Sequence, residues 1–289
     1  MDEGFRTNTG VEQKGGEGIY LFCFARPMGL PAIEGTGVDG RNPVSSWAFP
    51  ACAASVAAGR KDVVAVVSKV ALEEFCGPAA ESNMQDLTWV GPRACRHEEV
   101  IERVMRYSPV FPTRFGTLFS SLESLGTLVE KHYGTISEFL DYVADKEEWA
   151  VKGLLDRARA EEQLLALTLS QRSGSLPSSA GARYLQEQQL RDEVGKELRS
   201  WVKTVSSAMA KELIHQAVES RELKLLPREG SGRDMDMVLN WAFLLLKNAR
   251  EDFRARIEQV GAEYSKRGVI LELSGPWPPY SFRPSLALN

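Results

Sequence analysis

MVLNWAFLLL, residues 237–246, is the stretch whose reading decides the fold. Asn240 alone interrupts a run that is apolar at odd and even positions alike. Successive side chains of a strand point to opposite faces, so a strand apolar on both faces belongs inside a sheet. The run is far shorter than the ~20 residues a membrane-spanning helix needs. Downstream, Phe253, Ile257, Val260 and Tyr264 fall at helical spacing, and Val269, Leu271 and Leu273 alternate as a last strand. Gly275–Phe282 (GPWPPYSF) is expected to end regular pairing, because proline donates no ladder hydrogen bond. Upstream, across a polar loop at Arg228–Asp236, Arg221–Pro227 alternates Leu223 and Leu225 with charge, as an edge strand does.

Further upstream, Glu148–Leu155 sets Trp149 and Val151 against Glu148 and Lys152, the pattern of a half-buried strand. Arg157–Arg172 reads as a helix, and the Gly/Ser/Pro stretch Ser173–Gly181 breaks it. A long helix follows, with Leu190, Val194, Leu198, Trp201, Val205, Met209 and Leu213 as its stripe. From Asp145 the order is therefore strand, helices, strand, strand, helix, strand. This predicts an α+β protein whose C-terminal domain is a modified ferredoxin-like sandwich with an enlarged helical first crossover. Cutting the chain at 173–181 would separate the first strand from its sheet. The expected boundary lies instead near Ala144–Lys146, giving domains at 18–144 and 145–289 behind a disordered leader at 1–17.

The first half is also α+β. Ile19–Ala25 and Asp62–Val70 (DVVAVVSKV) are apolar or β-branched runs and read as strands. Pro31–Pro43 is loop chemistry, and Val44–Ala58 stays ambiguous because its alanines suit a helix that Pro50 would break. Leu87, Val90, Ala94, His97, Ile101 and Val104 form one helical stripe, and Leu122, Leu125, Val129, Tyr133, Ile136, Leu140 and Val143 another. Between them lies PTRFGT, residues 112–117.

The 289 residues are 43% hydrophobic and 26% charged, enough to build a core. The formal charge of −4 lacks the basic surplus of a dedicated nucleic-acid binder. Cys23, Cys52, Cys76 and Cys95 are sparse and unpaired in spacing, so reduced thiols in a soluble, cytoplasmic protein are expected. No catalytic constellation, cofactor motif or metal set emerges. Gly35, Gly37 and Gly40 spell G-x-G-x-x-G, but Pro31 precedes them and Pro43 follows where a strand and a helix should be. His97-Glu98 opens H-E-x-x-H, yet Ile101 occupies the second histidine position. The paired carboxylates Glu98/Glu99, Glu147/Glu148 and Glu161/Glu162 read as solvated faces.

Four segments hold the candidate residues. His97 is read as a hydrogen-bonded core histidine, with a polar anchor for a partner as the other reading. Arg114, between Pro112 and the Phe115-Gly116 pair, either pins its loop or clasps a partner's carbonyls. Trp277 and Tyr280, on the backbone stiffened by Pro276 and Pro279, either lid the core or serve as aromatic interface anchors. An enzyme with dispersed acid/base groups around His97 and Glu148 is the alternative function.

In succession, IYLFCF (19–24), DVVAVVSKV (62–70), DLTWV with His97-Glu98, PTRFGT (112–117), EWAVK (148–152), GARYL (181–185), NWAFLLLK (240–247) and GPWPPYSF (275–282) resemble the gas vesicle protein F/L family (GvpF/GvpL). The resemblance runs from about residue 18 to the end. It implies a two-domain α+β accessory protein of gas vesicles, non-enzymatic, without cofactor or metal. The implied partners are the small hydrophobic shell protein (GvpA) and other accessory vesicle proteins, with neither nucleic acid nor lipid membrane among them. The implied location is the cytoplasm and the gas vesicle. His97, Arg114, Phe115, Gly116, Glu148, Lys152, Gly275, Pro276, Trp277, Pro279 and Tyr280 match its motif positions, with roles there that are architectural.

Overall fold

A computed structural model describes residues 16–27, 33–49, 62–172, 180–228 and 235–287. The leader read at 1–17 lies almost wholly outside them, as do the second half of the ambiguous 44–58 stretch and most of the 173–181 break. The chain divides into two compact units, one made of Met1–Lys146 with Pro278–Asn289, the other of Glu147–Trp277. The second unit is thus an insertion in the sequence of the first.

In the first unit, β1 (Glu17–Ala25) and β3 (Val63–Ala71) are the central strands, and their largely apolar sequences are buried on both faces, Glu17 and Lys69 excepted. β2 (Val44–Phe49) lies outside β3, and β4 (Val110–Pro112) and β5 (Leu118–Phe119) both pair with β1, all antiparallel. The ambiguous 44–58 stretch therefore begins as an edge strand. Two short helices, α1 (Leu72–Phe75) and α2 (Pro78–Gln85), lead into α3 (Leu87–Met105), whose N-cap Asp86 accepts a 2.8 Å bond from Thr88 N–H. Val100, Ile101 and Val104 of α3 pack on Tyr20, Phe22 and Val66. Leu87, expected on the same stripe, is 83% exposed. Periodicity orients a face but does not say how far the neighbouring sheet extends beneath it.

α4 (Leu122–Tyr142) begins at a capping box between Ser121 and Ser124. Its Phe139 ring meets Phe111 of β4, which in turn meets Phe24 of β1. Buried Arg26, just past β1, reaches across to α4. It donates from Nη2 to Ser137 O at 2.7 Å and Ser137 Oγ at 3.0 Å, pairs with Asp141 at 3.0 Å, and donates from Nη1 to Asp62 O at 3.0 Å. A buried charge survives when its donors are used this way.

The second unit holds β6 (Lys146–Leu155), α5 (Arg157–Arg172), α6 (Ala180–Ile214), β7 (Glu219–Glu222), β8 (Asp236–Leu246), a 3₁₀ turn at Lys247–Ala249, α7 (Arg250–Ser265) and β9 (Val269–Trp277). The sheet order is β7-β8-β6-β9, so the doubly apolar β8 is internal and β7 is an edge. The helices cover a core of Trp149, Val151, Leu198, Met209, Phe243 and Phe253, among others. β7 lies earlier than the Leu223/Leu225 alternation suggested, and Leu225 is exposed. β9 runs on through Gly275 and Pro276 to Trp277, opposite Glu148. An edge strand has one side without ladder bonds, and there Pro276 forfeits nothing.

At Gly153 of β6 the space a side chain would need is taken by Leu239 of β8. A Cβ there would stand 2.9 Å from Leu239 Cβ on β8. Gly153→Ala is expected to lower the stability of the second unit by about 1–3 kcal/mol through overpacking. An unchanged thermal midpoint would show that the two strands separate freely.

Candidate functional site

The PTRFGT turn, helix α3 and the C-terminal strap at 278–287 meet around one imidazole. The register of β1 against β3 slips between Leu21 and Cys23, making Phe22 the extra residue of a bulge. Phe22 stacks on His97 with ring centroids 5.7 Å apart at 25°. Tyr20 and Phe115 stand edge-on to the same ring at 5.7 and 5.9 Å. His97 is 1% exposed.

Its nitrogens are both engaged. Tyr20 Oη lies 3.0 Å from Nδ1, and Thr113 O and Tyr280 Oη lie 3.2 and 3.1 Å from Nε2. Tyr280 Oη also lies 2.8 Å from Glu98 Oε1, and Gly116 N–H donates to Tyr20 Oη at 3.0 Å. One proton assignment satisfies every member. Gly116 N–H donates to Tyr20, whose hydroxyl donates to Nδ1; Nε2–H is shared between Thr113 O and Tyr280 Oη, and Tyr280 donates to Glu98. Gly116, at φ 80, supplies a backbone conformation that a side chain would strain. Thr113 fixes the turn to the bulge, donating from Oγ1 to Leu21 O at 2.6 Å and Phe22 O at 2.8 Å.

Burial holds His97 down at about 4, against the Thr113 carbonyl, so the ring is neutral. Burial pushes the Glu98 carboxyl up, with Glu102 adding to the shift and the Tyr280 hydroxyl opposing it. Burial and the Glu98 charge push the Tyr280 phenol up. The arrangement is a closed chain of donors and acceptors, suited to locking α3, the turn and the strap together.

Of the residues singled out from sequence, His97, Phe115, Gly116 and Tyr280 come together here, with Pro112 paired to Cys23 in the adjoining strand. The guanidinium of Arg114 does not pin its turn. The Arg114 carbonyl does, accepting from Thr117 N–H at 3.2 Å and Thr117 Oγ1 at 2.7 Å, while the side chain is exposed. Pro279 belongs to the strap, where its carbonyl accepts from Phe282 N–H at 3.4 Å. The strap, expected within the C-terminal domain, packs in the first unit instead.

Glu148, Lys152, Gly275, Pro276 and Trp277 lie in the second unit. Lys152 stands opposite Glu272. Trp277 is 40% exposed and donates from Nε1 to Ser274 Oγ at 3.1 Å. Glu148 is 5% exposed, not part of a solvated face as its sequence suggested, and Glu98 is half-buried under Tyr280. Tyr20, Glu98 and Thr113 escaped the sequence reading. Tyr20 sits in an apolar run, and nothing local to Glu98 announces a partner 182 residues away.

The literal G-x-G-x-x-G is a turn whose ends close through Gly37 N–H to Asn42 O and Val44 N–H to Gly35 O. The second unit carries a groove of about 480 Å³ between α7 and β9, lined by Ile257, Ala262, Ile270 and Leu273 with Arg254 and Glu258. Among the described residues there is no metal-ligating cluster, and no helix is long and apolar enough to cross a membrane. Cys23, Cys76 and Cys95 are free thiols.

The family model of the gas vesicle synthesis protein GvpL/GvpF matches residues 18–284. Gas vesicle protein L of a Streptomyces species is 24% identical over 232 residues, covering 76% of this chain and 80% of that protein. Gas vesicle protein L1 of Halobacterium salinarum is 24% identical over 300 residues, covering 97% and 95%. Among solved structures, GvpF of Anabaena aligns with a TM-score of 0.63 at 19% identity over 93% of this chain and 97% of its own. GvpF of Microcystis aeruginosa aligns with a TM-score of 0.59 at 19% identity over 93% and 99%. The mixed α/β fold with antiparallel sheets is shared with those structures, and the chain belongs to the GvpL/GvpF family of gas vesicle synthesis proteins.

Proposed function

We propose that this chain is a non-enzymatic accessory protein of gas vesicle assembly, acting in the cytoplasm and at the vesicle. It binds the small hydrophobic shell protein, GvpA, together with other accessory vesicle proteins, and stays on as a minor vesicle component. The observation that carries this reading is the family match across 18–284. A shell subunit that polymerises through apolar surfaces and strand edges needs a transient partner before assembly. β2 offers a matching edge, uncharged along VSSWAF, with Trp47 exposed. Both groups that the catalytic alternative requires, His97 and Glu148, are buried.

The two units serve as domains in this reading. The second is a modified ferredoxin-like sandwich whose enlarged crossover is the α5–α6 pair, supported by the order β7-β8-β6-β9. Deleting the gene in a vesicle-forming host is expected to abolish or deform vesicles, and the purified chain to capture the shell subunit from a co-expressing lysate. Vesicles of normal yield and shape, in a host with no second family member, would overturn the assembly role.

A further inference from the structure

We infer that Arg114 and Arg283 form a docking point for a carboxylate on a protein partner. The inference rests on the protein-binding function proposed above and assigns a place to it. Arg114 projects from the PTRFGT turn, whose backbone Thr117 fixes from both its N–H and its hydroxyl. Arg283 comes from the strap, three residues after the Tyr280 anchor and next to the buried Phe282. Its guanidinium carbon lies 6.0 Å above the ring of Phe111, three residues before Arg114. The strap and the turn thus bring two arginines, 169 positions apart in sequence (283 − 114), to one end of β4.

Among the described residues neither guanidinium has a hydrogen-bond or ion-pair partner. Burial and then the Arg114 charge push the Arg283 guanidinium below its usual value, and no carboxylate lifts it back. A pair of like charges set together with no counter-charge raises the energy of the isolated protein and favours an incoming anion. Two planar guanidiniums match the geometry of a carboxylate with parallel N–H···O bonds. Arg283 is only partly exposed, so an acidic side chain carried on a partner's surface, shedding its water as it docks, fits better than a fully solvated anion. Nucleic acid would call for a row of basic side chains tracking its phosphates, and this chain carries a net charge of −4.

The test is capture of co-expressed gas vesicle proteins by the immobilised full chain, at low and high salt, for the wild type and for Arg114→Lys, Arg114→Glu and Arg283→Gln. Arg114 is exposed, so its variants keep the fold and decide the outcome even if Arg283→Gln melts early. Arg114→Glu is expected to weaken capture at least ~10-fold at low salt and to flatten its salt dependence, with Arg114→Lys in between. Wild-type capture that all three variants retain unchanged overturns the docking point and leaves the proposed function standing. A wild-type chain that captures no vesicle protein overturns the proposed function itself. Capture abolished by ribonuclease, or displaced by inorganic phosphate and not by acetate at equal ionic strength, overturns the carboxylate.

Discussion

Ending the chain after Trp277 is expected to unfold the first unit while leaving the second folded. The strap at 278–287 supplies two groups that the first unit cannot replace. Phe282 is 4% exposed, and losing a buried phenylalanine alone costs about 3–5 kcal/mol. Tyr280 caps the His97 chain. Without it Glu98 loses its donor and Nε2–H keeps Thr113 O alone, and leaving a buried polar group without its partner adds about 1–3 kcal/mol. Domains are stable by about 5–15 kcal/mol in total, so these losses exhaust most of what the first unit has. The second unit keeps every strand, since β9 ends at Trp277. Hydrogen exchange should show the β1 and β3 amides losing protection while those of β8 retain theirs. Full protection of β1 in the truncated chain would show that the strap only decorates the unit. Tyr280→Phe is the milder companion, removing one hydroxyl and keeping the ring.

The dependence on a strap from the far end of the chain explains where the sequence was legible. Largely apolar strands announce themselves, because burial on both faces leaves few positions for a polar residue. Ile19–Ala25, Asp62–Val70 and Met237–Leu246 all became strands close to those limits. The stripe on α4 is equally clear, with Leu125, Val129, Ile136 and Leu140 buried. Elements as short as β4 and β5 carry no period, and Pro112 falls inside the first of them. Glu98 and Glu148 failed for another reason. Burial of a carboxylate depends on what covers it, and the cover on Glu98 is Tyr280, brought by chain connectivity that no local pattern encodes. The sequence did mark PTRFGT and GPWPPYSF as unusual. That the turn and the Tyr280 end of the tail meet through a histidine on a third segment is tertiary information.

Acidification is expected to destabilise the first unit through that same histidine. In the unfolded chain His97 takes up a proton near its ordinary 6.5, whereas in the folded protein burial holds it at about 4. Between those values the unfolded state binds more protons. Stability from this group is therefore complete above 6.5 and is lost as the pH falls towards 4, by about 3 kcal/mol for a shift of this size. Glu98 works in the opposite sense. Its carboxyl is raised, so the folded state binds more protons between 4.5 and the raised value, and stability is lost there as the pH rises. Glu102 faces Glu98 and lifts it further, while Tyr280 holds it back. The two contributions separate by mutation. His97→Gln keeps hydrogen-bonding capacity but cannot titrate. It is expected to lower stability at neutral pH, and its unfolding free energy should no longer fall on acidification from pH 7 to pH 4. Glu98→Gln should steepen the wild-type loss by removing the opposing proton. Denaturant unfolding monitored at Trp89, whose ring meets Phe75 in the same core, reads both. A wild-type protein whose first unit is equally stable at pH 7 and pH 4, with Glu98→Gln the same, would mean that His97 takes up its proton in the folded state, and the closed chain of hydrogen bonds around it would have to be abandoned.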